Sequence, residues 1–254
     1  MGTGVSSLDG RSVVVTGASS GIGVATARTF AAAGACVTLA ARREDRLRDL
    51  ASQLESSGAR VAVARTDMRV EDDVLRLFDL TRQRFGGVDV LVNNAGLGRS
   101  APLSSGPSEA WREMLEVNVL GLCIATREAI KDMDRRQVAG HIVHVSSMAG
   151  HRVPGPDSGV YAATKFAVRA LTEGLRQELR ARQSPIRVSA VSPGYVDTEF
   201  AAVFSGSAPD APPPVRHIKV LAPQDVAAAI LWLTSQPPHV QVHDVLLRPT
   251  AQKN

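Results

Sequence analysis

"VVVTGASSGIGVATA", residues 13–27, joins a run of β-branched residues to a segment with helical periodicity. Gly17, Gly21 and Gly23 stand in the spacing G-x-x-x-G-x-G, directly after the run and at the start of the helical segment. Glycines in such a turn let the backbone approach a pyrophosphate group, which then lies at the positive end of the helix. The strand before the turn and the helix after it are the context that a dinucleotide-binding turn requires.

The rest of the chain repeats this alternation of short apolar runs and longer amphipathic segments. Strands that alternate with helices predict right-handed crossovers and a parallel sheet with helices on both faces. The sequence therefore predicts one α/β domain over residues 1–254, a doubly wound, seven-stranded parallel sheet of the Rossmann type. The long irregular segment 199–222 is typical of a substrate-binding loop. The predicted strands are 12–16, 36–40, 61–66, 88–92, 141–145, 186–191 and 244–248, and the predicted helices are 21–33, 44–57, 71–85, 108–136, 158–182 and 223–235.

The composition argues against several classes of function. The 254 residues carry a net charge of +4 and are 44% hydrophobic, which is enough for one large core. The arginines are interleaved with acids along helical segments, so we expect solvated helix faces and no nucleic-acid partner. The apolar runs predict neither a membrane span nor a secretory signal. Cys36 and Cys123 lack disulfide or metal spacing, which indicates a reducing, cytoplasmic location.

Polar clusters follow the predicted strands at their carboxyl ends, where open α/β sheets bind ligands. "VNNAG" (92–96) ends the fourth predicted strand, "HVSSMAG" (144–150) the fifth and "VSPGYVDT" (191–198) the sixth. Asp67 follows the third predicted strand in the same way. We therefore expect these clusters to meet at one edge of the sheet, beside the glycine-rich turn.

"VYAATKFAV", residues 160–168, places Tyr161 and Lys165 one helical turn apart in a small, apolar segment. Residues i and i+4 share a helix face, so the ammonium can approach the phenol directly or through a cofactor ribose. At ~4 Å and an effective dielectric constant of about 20, their attraction is roughly 4 kcal/mol, or about three pKa units. We expect Lys165 to lower the pKa of Tyr161, so that Tyr161 can act as a general acid and base near neutral pH.

Several motifs stand together in one order and spacing. They are TGASSGIG (16–23), NNAG (93–96), Asn118, Ser147, the pair Tyr161 and Lys165, and Pro193-Gly194. This combination resembles the single-domain kind of short-chain dehydrogenase/reductase over nearly the whole chain. The C-terminal segment 221–252 further resembles the bacterial serine/3-hydroxy-acid dehydrogenase subgroup. GHRV (150–153), ALTEGLRQELR (170–180) and RPT (248–250) are also similar to a eukaryotic relative that reduces keto-steroids and other ketones.

The resemblance implies an oxidoreductase that moves hydride between a nicotinamide cofactor and a carbonyl or alcohol. It assigns proton transfer to Tyr161 and a hydrogen bond with the substrate oxygen to Ser147, and it implies that Asn118 holds a water in a proton relay through Lys165. Ser147 directly precedes the x-Ala-Gly triplet that follows the family's catalytic serine, so Ser146 is the structural serine. An asparagine within a helix is also consistent with a polar kink. The residues expected to bind the dinucleotide are Gly17, Ser19, Ser20, Gly21, Ile22, Gly23, Asp67, Met68, Asn94, Ala95, Gly96, Tyr161, Lys165, Pro193, Gly194, Val196 and Thr198.

The expected substrate pocket is mostly apolar, which suits a ketone or a moderately hydrophobic alcohol. Arg99 and Arg152 lie just past two strand ends, where they could bind a substrate carboxylate or remain solvated. The spacing of His141 and His144 predicts no metal site, and His144 is expected to face a neighbour on the sheet. Besides Ser147 and Tyr161, the expected pocket residues are Leu97, Met148, Val153, Tyr195, Phe200 and Phe204.

The end of the second predicted strand indicates the choice of cofactor. An NAD-specific site places an acid there to bind the ribose 2′-hydroxyl. Ala41 occupies that position and Arg42 and Arg43 follow, so a 2′-phosphate meets no repulsion and finds two guanidinium groups. We expect NADP(H), with Arg42 as the main contact and Arg43 and Ser19 assisting; the alternative is that both arginines are solvated.

Two further expectations concern class and assembly. A catalytically silent dinucleotide sensor on the same fold is the alternative to an enzyme, but a sensor needs neither the tyrosine, nor the lysine, nor the serine. The predicted helices 108–136 and 158–182 carry apolar residues on more than one face, which predicts a homo-oligomer, a tetramer or a dimer. These apolar residues include Leu115, Leu122, Phe166, Leu171 and Leu175.

Overall fold

Seven parallel strands form one sheet in a computed structural model that describes residues 7–206 and 218–253. The spatial order is β3-β2-β1-β4-β5-β6-β7, and every strand pair is parallel. The predicted doubly wound architecture is thereby confirmed. The strands are β1 (Ser12–Thr16), β2 (Cys36–Ala41), β3 (Arg60–Arg65), β4 (Val90–Asn93), β5 (His141–Val145), β6 (Arg187–Pro193) and β7 (Asp244–Leu247).

The helices between the strands begin and end where their sequences favour it. Helix α3 carries Glu71, Asp72 and Asp73 in its first turn, where carboxylates interact favourably with the helix dipole. It ends at Gly86, whose φ of 80° is readily reached only by glycine. The helices are α1 (Gly21–Ala32), α2 (Glu44–Glu55), α3 (Glu71–Phe85), α4 (Ser108–Leu115), α5 (Leu122–Arg136), α6 (Gly159–Ala181), α7 (Phe200–Ser205) and α8 (Pro223–Thr234).

Two apolar cores cover the two faces of the sheet. Successive side chains of a strand point to opposite faces, so Val14 packs in one core while Val13 and Val15 pack in the other. Helices α3, α5 and α6 cover the first core, and α1, α2 and α8 cover the second. Because all of β1, β2 and β5 is buried, these strands have the near-continuous apolar sequences from which they were predicted.

The order of the strands reverses between β1 and β4. The chain builds β1, β2 and β3 outward on one side and then returns to place β4 on the other side of β1. Helices that leave β1 and β4 therefore diverge to opposite faces and open a crevice at the carboxyl ends of these strands. The crevice positions the candidate site.

The predicted helix over 108–136 is interrupted. A π-helical turn over Glu116–Gly121 separates α4 from α5 and contains Asn118, which is 1% exposed. The amide of Asn118 accepts a hydrogen bond from the Leu97 nitrogen at 2.9 Å and donates one to the Leu97 oxygen at 2.8 Å. The asparagine thus stands in a local departure from the α-helix, and its side chain ties this helix to the segment after β4.

Two other expectations need correction. The segment 199–222 is not wholly irregular, because it begins with α7; its residues 207–217 lie outside the described residues. His144 does not face the sheet, because its ring bonds Thr126 of α5 at 3.2 Å and Thr172 of α6 at 2.9 Å. Burial lowers the pKa of His144 to about 3, so the imidazole is neutral. Within the described residues, no helix is both long and apolar enough to cross a membrane.

Candidate active site

The glycine-rich turn after β1 lies directly against the end of β4. A side chain on Gly23 would collide with the carbonyl oxygen of Gly17, and a Cβ on Gly17 would come within 2.9 Å of the Ala95 Cα. The Asn94 amide donates to the Thr16 oxygen at 2.9 Å and to the Gly17 oxygen at 3.3 Å. The hydroxyl of Thr16 accepts from the backbone nitrogens of Asn94 and Ala95, each at 3.0 Å. The turn and NNAG therefore form one rigid unit.

This unit has the features of an anion-binding turn. Helix α1 starts at Gly21, its preceding residue Ser20 makes no side-chain cap, and its first turn contains no acid. The first N–H groups of the helix and the positive end of its dipole are therefore available to a pyrophosphate. A Cβ on Gly21 would lie 2.8 Å from the Thr198 side chain, so the segment after β6 borders the turn. The residues thus fit a dinucleotide.

The other predicted dinucleotide-binding residues lie at the same edge of the sheet. Ile22 is in the first turn of α1, and the remaining positions end or follow β3, β4 and β6. Asp67 is engaged by Arg69, whose hydrogen bonds lower the pKa of the Asp67 carboxyl although burial opposes the shift. The remaining positions are Asp67, Met68, Asn94, Ala95, Gly96, Pro193, Gly194, Val196 and Thr198.

Tyr161, Ser147 and Lys165 lie together beside the end of β5. The Ser147 side chain caps the short 3-10 turn Met148–Gly150 by accepting from the Ala149 nitrogen at 3.1 Å, and it also forms a hydrogen bond with the Tyr161 phenol. Lys165 donates from Nζ to the Val145 oxygen at 3.0 Å. The neighbouring Ser146 hydroxyl instead donates to the Lys165 carbonyl oxygen at 3.3 Å. Ser147, rather than Ser146, therefore shares the site with the phenol.

The expected lowering of the phenol pKa does not occur in this structure. Burial raises the pKa of Tyr161 to about 12, and the hydrogen bond with Ser147 opposes this only in part. Burial also lowers the pKa of Lys165 to about 8. Lys165 Nζ lies 6.0 Å from the Tyr161 ring centroid and donates to the Val145 oxygen. The sequence correctly predicts the pair on one helix face, but in this structure burial dominates the pKa of the phenol.

Asn118 and Lys165 approach Gly96 from two sides. A Cβ on Gly96 would lie 3.4 Å from Asn118 Oδ1 and 3.4 Å from Lys165 Nζ. The Asn118 amide also donates to the Thr164 hydroxyl at 3.0 Å. Asn118 therefore links three elements around the lysine: the segment after β4, the π-helical turn and α6. This arrangement brings the predicted relay residues together, while the relay itself stays a prediction.

Aromatic rings cover Tyr161 on the outer side. The ring centroids of Phe200 and Phe204 in α7 lie 5.4 Å and 6.0 Å from that of Tyr161. A Cβ on Gly98 would lie 2.7 Å from Phe204 and 2.8 Å from Phe200, so the two rings need a glycine beneath them. The wall next to the phenol is therefore apolar.

The other predicted pocket residues differ in their exposure. Leu97 and Met148 are buried, whereas Val153 and Tyr195 are exposed. A role of Val153 and Tyr195 in the substrate pocket stays a prediction.

The arginines of the site are mostly paired with acids. Arg99 donates twice to Glu113, at 3.1 Å and 2.9 Å, and also to the Val203 oxygen at 3.2 Å. Arg42 is 55% exposed and lies 3.8 Å from Glu113. Arg43 instead lies on the glycine-rich turn, where its Nε donates to the Ser19 hydroxyl at 3.1 Å. Thus Arg43, ranked behind Arg42 from the sequence, is the one that contacts the turn.

Arg152 differs from these arginines. Its Nε is buried and has no hydrogen-bond partner among the described residues. A role in binding a substrate carboxylate remains a prediction for Arg152, whereas Arg99 is already occupied by Glu113.

Several residues that shape the site were not singled out from the sequence. Thr16 and Thr164 lie within the motifs TGASSGIG and YAATK, so the motifs could have indicated that these two residues belong to the site. Glu113 and Glu199 carry no such signal, because their arginine partners are distant in the sequence. Among the described residues, no group of three or more His, Cys, Asp or Glu side chains could hold a metal ion.

Comparison with known proteins agrees with this geometry. Residues 11–206 match the sequence profile of the short chain dehydrogenase family. The chain is 46% identical over 247 residues to dehydrogenase/reductase SDR family member 11 of Bos taurus, covering 95% of this chain and 97% of the relative.

Solved structures show the same similarity. The closed form of serine dehydrogenase complexed with NADP+ has a TM-score of 0.89 at 32% identity, covering 96% of both chains. A short chain dehydrogenase/reductase from Burkholderia phymatum in complex with NAD has a TM-score of 0.85 at 31% identity, covering 95% of this chain and 90% of that one.

Burial of Lys165 has a measurable cost in stability. The pKa of Lys165 is about 8, below the ordinary value of 10.5. Burial therefore disfavours the charged form over the neutral form by about 3 kcal/mol of free energy. We expect Lys165→Met to raise the free energy of unfolding by about 1–3 kcal/mol at neutral pH, because a buried charge is removed. The gain should be full below pH 8 and fade as pH rises toward 10.5, since the unfolded state alone then binds the proton.

Urea unfolding at several pH values measures this difference. Lys131→Met is the control, because Lys131 is exposed and pairs only with Glu128 on its own helix in the described structure. A loss of stability in Lys165→Met below pH 8, larger than in the control, would contradict the expectation.

Proposed function

The chain belongs to the short-chain dehydrogenase family, and from this membership we propose that it is an NADP(H)-dependent oxidoreductase. It interconverts a carbonyl compound and a secondary alcohol, with Tyr161 as general acid and base. The observation that carries the proposal is the burial of Tyr161 and Lys165 on one helix, with the Ser147 hydroxyl hydrogen-bonded to the phenol, at the sheet edge that also carries the glycine-rich turn. A silent dinucleotide sensor needs neither the Tyr161 phenol nor the Ser147 hydroxyl beside it.

The residues of the chain carry the proton chemistry. Ser147, fixed by its cap on Ala149, hydrogen-bonds both the substrate oxygen and the phenol. Tyr161 donates its proton to the carbonyl oxygen in reduction and takes it from the alcohol in oxidation. When bound, the nicotinamide supplies or accepts the hydride. Lys165 adds positive charge that stabilises the phenolate, and Phe200 and Phe204 exclude water from the reacting groups.

The end of β2 supports the preference for NADP(H). Ala41 ends the strand without an acid, and the exposed guanidinium of Arg42 follows it. Arg43 is held beside the glycine-rich turn by Ser19. Both arginines can therefore bind a 2′-phosphate in a charge-assisted manner. Structures similar to this chain contain either NADP or NAD, so the preference rests on these residues.

We also propose a substrate class and a location. The apolar wall formed by Phe200, Phe204 and Leu97 supports a small carbonyl compound with an apolar group beside the reacting carbon. The free cysteines Cys36 and Cys123 support a reducing, cytoplasmic location.

Replacement of Tyr161 tests the proton-transfer role. We expect Tyr161→Phe to lower turnover by at least about a hundredfold, because general acid–base catalysis contributes that much or more. The fold should stay unchanged and cofactor binding should be kept, since the variant removes one hydroxyl among the many groups expected to bind the dinucleotide. Turnover is measured by the absorbance of the reduced nicotinamide with a panel of ketones, aldehydes and hydroxy acids.

The two adjacent serines provide the control for this experiment. Ser147→Ala should lower turnover, whereas Ser146→Ala should retain most of it, because Ser146 bonds the backbone of α6. Near-normal turnover in Tyr161→Phe contradicts the assignment. Tight cofactor binding without turnover of any compound in the panel favours the sensor.

The arginines after β2 test the choice of cofactor. We expect Arg42→Ala and Arg43→Ala each to weaken NADPH binding about ten- to hundredfold, the value of a charged hydrogen bond of about 1.5–3 kcal/mol. NADH binding should change little, because NADH lacks the 2′-phosphate. Dissociation constants for both cofactors are measured by calorimetry. Tighter binding of NADH than of NADPH by the wild type would overturn the preference.

Exposed apolar side chains support a homo-oligomer, a tetramer or a dimer. Leu115, Leu120 and Phe166 are 50%, 54% and 41% exposed, while Leu122 and Leu175 pack in the core of their own chain. Exposed apolar side chains on these helices are available to pack against a second copy of the chain. We expect light scattering at micromolar concentration to give a multiple of the 26.9 kDa chain mass. Phe166→Asp should shift the mass downward, and a monomeric wild type would contradict the expectation.

A further inference from the structure

Glu199 lies between the glycine-rich turn and the helix that covers Tyr161. It is the last residue before α7, and each of its carboxylate oxygens binds a different arginine of the α2 region. Oε2 accepts from Arg43 at 2.9 Å and Oε1 accepts from Arg46 at 2.7 Å. These two arginines, Arg46 first and then Arg43, lower the pKa of Glu199, so the carboxylate is charged at neutral pH.

Helix α7 is thereby fixed at both of its ends. At its start, Glu199 is held by Arg43 and Arg46. At its end, the Phe204 oxygen accepts from the Ser100 nitrogen at 2.8 Å and the Val203 oxygen accepts from Arg99. Because Phe200 and Phe204 pack on Tyr161, these anchors determine where the aromatic wall lies over the phenol.

Arg43 takes part in both the turn and this anchor. Its Nε and Nη2 donate to the hydroxyl and the carbonyl oxygen of Ser19, while its Nη1 donates to Glu199. A 2′-phosphate bound by Arg43 would place a second anion on a guanidinium that already neutralises a carboxylate. Two anions that share one cation repel each other, so binding of one weakens the hold on the other.

We propose that Glu199 determines the strength of the cofactor preference and couples it to the position of α7. The 2′-phosphate and Glu199 compete for Arg43, so a phosphorylated cofactor loosens the start of α7, whereas an unphosphorylated one leaves both arginines on Glu199. The inference rests on the proposed use of Arg43 as a 2′-phosphate ligand. Glu199 is a specificity-determining residue that acts through Arg43 and not on the reacting atoms.

Nucleotide fragments test the competition without turnover. Adenosine 2′,5′-bisphosphate carries the 2′-phosphate and adenosine 5′-monophosphate lacks it, and calorimetry gives the affinity of the full chain for each. Glu199→Gln removes the carboxylate charge and keeps the size of the side chain. We expect this variant to bind the bisphosphate about two- to fivefold more tightly relative to the monophosphate. This range corresponds to the free energy of an exposed ion pair.

Glu44→Gln is the matched control. Glu44 also lies next to Arg43, but its side chain pairs with Arg48 on its own helix. This variant removes the same charge without touching the anchor of α7, so its effect on the bisphosphate should be clearly smaller. If both variants gain the same affinity for the bisphosphate, the effect comes from net charge alone and the proposal is wrong.

Amide hydrogen exchange of residues 200–206 tests the coupling to α7. In the wild type, the bisphosphate should speed exchange in this segment relative to the monophosphate. In Glu199→Gln, exchange should be fast with both nucleotides, because the anchor is already lost. If the exchange rate of residues 200–206 in the wild type is the same with both nucleotides, the proposed coupling is wrong.

The same measurements separate this inference from the proposed function. If the wild type binds both fragments equally, the cofactor preference fails and the coupling fails with it. If the wild type prefers the bisphosphate but Glu199→Gln changes neither affinity nor exchange, only the role of Glu199 is wrong.

Discussion

The close approach of the glycine-rich turn to the end of β4 is the constraint on which the rest of the site depends. Gly17 and Gly23 leave room for Asn94, whose amide bonds the backbone of the turn. A side chain at Gly17 would collide with Asn94 and Ala95, and one at Gly23 with the Gly17 oxygen and Asn94, at the point where the strand order reverses. Asn118 then holds the segment that follows β4. The position of the turn therefore also influences where the residues around Lys165 lie.

Burial determines the chemistry available to the site. The pKa of Tyr161 is raised and that of Lys165 is lowered because both are nearly excluded from water. A protein selected for stability alone would replace the lysine with an apolar side chain, since a buried charge is costly. Its presence beside Tyr161 and the aromatic rings of Phe200 and Phe204 is consistent with the proposed role in stabilising charge at the site.

Charged residues connect parts of the site that lie far apart in the sequence. Glu113 faces three arginines, Arg42, Arg69 and Arg99, which come from the segments after β2, β3 and β4. Glu199 joins the α2 region to α7 in the same way. The region that would hold the adenosine end of a cofactor is therefore linked by ion pairs to the helix over the phenol. Such partly exposed pairs are weak individually.

The sequence by itself determined the seven strands, the doubly wound architecture and the choice of Tyr161, Ser147 and Lys165 as candidate site residues, because periodicity and motif spacing are local properties of the chain. It did not determine the π-helical turn at Asn118, the helix at Phe200–Ser205 or the direction of the shift in the Tyr161 pKa. Only tertiary structure decided these features, because each depends on distant partners or on burial. The π-helical turn bonds Leu97, and the helix Phe200–Ser205 packs against Tyr161 and Gly98. The pKa of Tyr161 depends on the exclusion of water.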